Sequence, residues 1–96
     1  MLNLDSCRVA IAGASGDEAC RRAIENLISQ CESAGARLDS LSLGEALLNV
    51  LGPAGYERLK GGGKLLPAIT RLGFTTEQGP GAFFVGSRPD GGASHR

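Results

Sequence analysis

From its first third onward this chain is cut repeatedly by glycine and proline. Breakers fall at Gly35, Gly52-Pro53, Gly61-Gly62-Gly63, Gly73 and Gly79-Pro80-Gly81. Gly supplies the left-handed conformation that ends a helix, and Pro cannot continue one. The segments between the cuts are too short for a long helix or a large sheet, so the chain must build its core from several short elements. At 96 residues it has the size of one domain. The aromatic residues are only Tyr56, Phe74, Phe83 and Phe84, so Leu, Ile, Ala and Val have to fill the core.

The segments carry legible patterns. Ser15-Gly16-Asp17-Glu18 has the form of a capping box, and apolar residues follow at Cys20, Ala23, Ile24, Leu27, Ile28 and Cys31. This predicts a helix from about Gly16 to Ala34, capped by Gly35. A second box, Ser42-Leu43-Gly44-Glu45, opens a helix whose buried face is Leu43, Ala46, Leu47, Val50 and Leu51. Leu38 and Leu41 are expected to pack under the link, which can form a short bridge strand. Pro53 opens a short helix with Tyr56 and Leu59 inward, ending at Gly61. Leu65, Leu66, Ile69 and Leu72 space as a further helix starting near Lys64, because Pro67 is tolerated only in a first turn. Phe74–Glu77 and Ala82–Val85 read as paired strands around Gln78–Gly81.

The expected fold class is α+β, mostly α: a winged helix-turn-helix with a C-terminal two-stranded wing over residues 15–86. Its expected core is Ile24, Leu27, Ile28, Leu47, Leu51, Leu66, Ile69 and Phe74. Residues 1–14 read as a leader or a short strand around Cys7–Ala12, and residues 87–96 as a disordered tail with Gly91-Gly92, Pro89 and no large apolar side chain.

Charge points to one region. The net charge is zero, but residues 1–57 hold eight acids and four bases, and residues 58–96 hold two acids and six bases. Arg58, Lys60, Lys64 and Arg71 lie in a stretch without an acid, interrupted by Gly61, Gly62 and Gly63. A basic helix followed by a wing is a recurrent way of presenting positive charge to nucleic acid. Phe83 or Phe84, alternating outward on the wing, offers a base-stacking surface. The bland reading is a solvated basic face and two Phe side chains in the wing's own packing.

Other chemistries find few residues. Gly13-Ala14-Ser15-Gly16 lacks the spacing of a dinucleotide fingerprint, with Ser15 and Glu18 where glycines are needed. Gly63-Lys64 is followed by Leu65 instead of the magnesium-binding Ser or Thr of a phosphate loop. His95 is the sole histidine. The expectation is therefore a protein that is not an enzyme and uses no metal or cofactor. Cys7, Cys20 and Cys31 are odd in number and lack close pairing, which favours a reducing, cytoplasmic compartment over a disulfide scaffold. No apolar run is long enough to span a membrane.

From Ile24 to Val85 the chain resembles a LOTUS domain, the OST-type helix-turn-helix. The likeness rests on Ile24-Glu25-Asn26-Leu27-Ile28, Leu41-Ser42-Leu43-Gly44-Glu45-Ala46-Leu47, Pro53-Ala54-Gly55-Tyr56, Lys64-Leu65-Leu66-Pro67-Ala68-Ile69 and Gly81-Ala82-Phe83-Phe84-Val85, in that order. The resemblance implies a noncatalytic RNA-binding module for G-rich, G-quadruplex or otherwise structured RNA. It also implies company: a DEAD-box helicase bound by extended members, or an accompanying NYN-type ribonuclease domain in bacterial ones. Two departures limit it. The extended form ends in an extra helix that Ser87–Arg96 cannot supply, and the triple glycine has no counterpart. Only Lys64 and its helix carry over as a contact surface. Two other functions fit the residues: a protein-interaction, adaptor or dimerisation module, and a winged-helix DNA-binding domain. The Lys64–Leu72 helix offers a major groove Lys64, Thr70 and Arg71 but no Asn or Gln to read adenine.

Overall fold

The structure, a computed structural model, describes residues 2–86. The element order is α1 (Leu4–Ala10), α2 (Gly16–Ser33), β1 (Leu38–Asp39), α3 (Ser40–Lys60), α4 (Leu65–Arg71), β2 (Thr75–Gly79) and β3 (Ala82–Gly86). The three strands form an antiparallel sheet in the order β1-β3-β2. The short strand before α3 thus closes onto the C-terminal hairpin. This is the α+β, mostly α, winged-helix arrangement expected from the sequence. The reading of residues 87–96 as a disordered tail lies outside the described residues.

The core gathers one apolar face from every layer. Ile24, Leu27 and Ile28 come from α2, Leu43, Ala46, Leu47 and Leu59 from α3, and Ala68 and Ile69 from α4. Leu38, Phe74 and Val85 close it on the sheet side. Of the expected core, Leu51 is half-buried against this cluster, and Leu66 is half-buried outside it. Leu65 packs inward instead. Leu41, expected beneath the link, is 71% exposed. Because α3 begins at Ser40, Leu41 points roughly 200° away from the buried Leu43.

The N-terminal reading needs a larger correction. Residues 4–10 form helix α1 instead of a short strand. Asn3 caps it by accepting from the Ser6 N–H, and Leu4, Cys7 and Ile11 pack on the core at helical spacing. The Cys7 thiol donates to the Ala23 carbonyl at 3.6 Å, fixing α1 on α2. Neither capping box forms. Ser15 makes no side-chain cap bond, and Glu18 turns outward to Arg21 and Arg22. At α3 the cap is Asp39, whose carboxylate accepts from the Leu41 and Ser42 N–H groups, each at 3.2 Å. The extended Asp39, held in β1, starts the helix three residues earlier than the box would, so Ser42 already lies inside its first turn and cannot cap it.

Hydrogen bonding from the Ser42 hydroxyl, with the Ser42 and Leu41 N–H groups, holds Asp39 below the ordinary aspartate range against a smaller opposing effect of burial. Its cap therefore stabilises the fold fully above about pH 4 and loses that contribution as pH falls through the lowered folded value. Asp39→Asn, which keeps an acceptor, is expected to cost little at neutral pH and to flatten the acid limb of a stability–pH curve. Asp39→Ala should cost about 0.5–2 kcal/mol at neutral pH. Urea melts across the acid range check both.

The kink in α3 sets the position of everything after it. Gly52 has φ 80° and ψ 164°, outside helical geometry, and Pro53 starts the second arm. That backbone conformation is open to Gly and strained for any L side chain. Gly52→Ala should cost about 1–3 kcal/mol in urea melts. A neutral result would mean that the arm can be redirected without loss.

Candidate nucleic-acid interface

The second arm of α3 ends in Arg58-Leu59-Lys60. Gly61 closes it with φ 63°, its N–H donating to the Glu57 and Arg58 carbonyls. Gly61, Gly62, Gly63 and Lys64 are all exposed, and Lys64 stands as the extended residue before α4. The loop bends tightly, with the Gly63 N–H donating to the Lys60 carbonyl at 3.1 Å.

The four basic residues do not form one free patch. Arg58 and Lys60 are two positions apart, so they leave the helix roughly 200° from each other. Lys60 pairs with Glu57 at 3.2 Å and lies 4.8 Å from the centre of the Tyr56 ring. Its side chain is only 21% exposed. Arg71 pairs with Asp17 at 2.8 Å, tying the end of α4 to the first turn of α2. Arg58 and Lys64 are exposed and make no ion pair with the described residues. They flank the glycine loop and are the uncompensated cations of this stretch.

The wing divides its phenylalanines by pleat. Val85 is buried and Phe83 packs against the core from the same face of β3, so Phe83 is not a free stacking surface. Phe84 faces outward but is covered. The Arg37 guanidinium lies 4.4 Å from its ring centre and is held there by an ion pair with Glu77, the residue opposite Phe84 in the ladder. The ring also lies over Gly79, where a Cβ would come within 2.8 Å of Cε2. A base reaching Phe84 must displace Arg37 or stack on the guanidinium itself. Arg37 was not expected in this role. The pairing of β1 with β3, which sets Asp39 opposite Phe84, brings Arg37 to the ring.

A second feature was also missed. α1, the C-terminal half of α2 and the first arm of α3 enclose an open groove of about 860 Å³. Arg58, Lys60, Lys64 and Arg71 do not line it, whereas Arg37 does. Its existence depends on α1 being a helix, and the signals for that helix, Asn3 as cap and the spacing of Leu4, Cys7 and Ile11, stand in the sequence.

Cys7, Cys20 and Cys31 are free thiols, and burial pushes all three up from their ordinary range. Among the described residues no cluster of His, Cys, Asp and Glu is arranged to hold a metal ion, and no helix is long and apolar enough to cross a membrane. No family model, curated protein or solved structure matches the chain.

Proposed function

We propose that this chain is a noncatalytic RNA-binding module that engages the phosphate backbone through Arg58, Lys64 and the glycine loop between them. The observation that carries this reading is the pair of exposed cations without carboxylate partners on either side of three exposed glycines. Residues without side chains let a sugar-phosphate backbone approach closely, and nearby free cations gain from counterion release. The LOTUS-like order of motifs supports the same reading and points to G-rich or structured RNA.

RNA is favoured over duplex DNA by the state of α4. It has seven residues. Its Thr70 hydroxyl is turned back to the Leu66 carbonyl at 3.0 Å, and its Arg71 is occupied by Asp17. Little remains to read base edges in a major groove. Phosphate contact with a single-stranded or folded RNA requires no such reading.

The test is a binding panel of single-stranded, duplex and G-quadruplex RNA with matched DNA, repeated over a range of salt. RNA should bind best, with affinity falling steeply as salt rises. Equal binding to duplex DNA would favour the winged-helix DNA reading. Absence of any salt-sensitive binding would end the nucleic-acid reading.

A further inference from the structure

The groove beside α1 belongs to a different surface from the basic loop. Its amides are already committed: Gln30 exchanges hydrogen bonds with the Asn3 backbone and donates to Asn26, and Asn26 donates to the Ser6 hydroxyl. These bonds lock α1 to α2 and fix the wall. An occupant therefore gains chiefly from apolar contact with Leu2, Leu4, Cys31, Ala34 and Ala36, which line the groove with surface to offer, whereas Leu38 and Ala46 are already buried beneath it. Outside the groove, the α3 stripe that borders its lining residues Ser42, Glu45 and Asn49 adds two exposed leucines. Leu41 and Leu48 are 71% and 42% exposed, two turns apart on one stripe of α3, with Glu45 between them. Glu45 lines the groove and pairs with no cation among the described residues. The cation at the mouth, Arg37, is neutralised by Glu77.

We propose that this groove docks a basic amphipathic helix of a protein partner, its leucine-type anchors on Leu41, Leu48 and the groove floor and a lysine or arginine on Glu45. Anchors at i, i+3 or i+4 and i+7 match a stripe that itself runs along a helix axis. The charge selects the occupant. A second copy joined symmetrically along this stripe would set Glu45 near its own mate, and like charges repel. A phosphate backbone would meet Glu45 and Asp39 in the groove wall.

Cys31 lines the groove and is half-buried, whereas Cys7 and Cys20 are buried, so its alkylation reports on the groove directly. The 96-residue chain is mixed with an amphipathic Leu/Lys peptide of about 18 residues, five turns, or with a Leu/Glu peptide sharing its apolar face. Iodoacetamide modification of Cys31 is then followed by mass spectrometry. The Leu/Lys peptide should slow alkylation at least about fivefold and the Leu/Glu peptide should not, since the occupant must shield the thiolate from reagent. Glu45→Lys should reverse this preference, and Leu41→Ser with Leu48→Ser should abolish protection by either peptide. Should Glu45→Lys fail to fold by circular dichroism, Glu45→Gln takes its place and should erase the preference. The proposal is overturned if the two peptides protect the unaltered protein equally or not at all, or if the preference for the Leu/Lys peptide survives the Glu45 substitution. Protection by RNA would overturn it too, as would self-association that Leu41→Ser and Leu48→Ser remove.

Discussion

Replacing Leu47 by Ala is expected to lower the unfolding free energy by about 2–4 kcal/mol. Leu47 has no exposed surface and sits among residues of α2, α3 and α4, elements tied together by packing on both sides. The loss combines the transfer free energy of the deleted carbons with a cavity that a close-packed interior closes only in part. A domain of this size commands about 5–10 kcal/mol in all, so the variant should melt far earlier in urea with an unchanged m-value. Leu66→Ala makes the contrast. That side chain is half-buried outside the central cluster, and its loss should stay within about 1 kcal/mol. If the two variants were equally damaged, or if Leu47→Ala cost less than about 0.5 kcal/mol, the packing of α3 would be misassigned.

That contrast also shows what a sequence of this kind reveals. The stripe of α2 and the breaks at Gly35, Gly52-Pro53 and Gly73 were legible because helix periodicity and backbone stereochemistry are local. Leu66 against Leu65 was not, because both fit an apolar face and only the docking angle of α4 separates them. The caps failed for a related reason. Ser15 and Ser42 have the right neighbours, but Asp39 is fixed by a strand pairing with Phe84 that joins residues distant in the chain. α1 was hidden differently: Val9, Ala10 and Ile11 imitate strand alternation, while the true face, Leu4, Cys7 and Ile11, needs α2 beneath it to make sense. With α1 unread, the groove could not be seen. The basic stretch was legible as composition, but not which of its cations are spent, because Arg71 meets Asp17 only across the fold.

The largest effect on binding is expected from Arg58→Glu combined with Lys64→Glu. Both side chains are exposed and free of ion pairs among the described residues, so reversal acts on the ligand before it acts on the fold. RNA affinity should fall at least about tenfold at low salt, and the slope of log K against log salt should become shallower by about 1.4, two contacts at roughly 0.7 each for a single strand. Arg58 stands in the last turn of α3, where a cation suits the helix dipole, so its reversal should also cost about 0.3–1 kcal/mol. Melting therefore has to be measured beside binding. Lys60→Gln with Arg71→Gln is the informative control. Those cations already serve Glu57 and Asp17, so their neutralisation should shift RNA affinity by less than about threefold, since neither is fully available to release a counterion. A folded Arg58→Glu/Lys64→Glu protein that binds RNA like the parent would sink the nucleic-acid reading. A control pair more damaging than the reversal pair would move the interface to the α2–α4 side, with Arg71 leaving Asp17 to meet the phosphate.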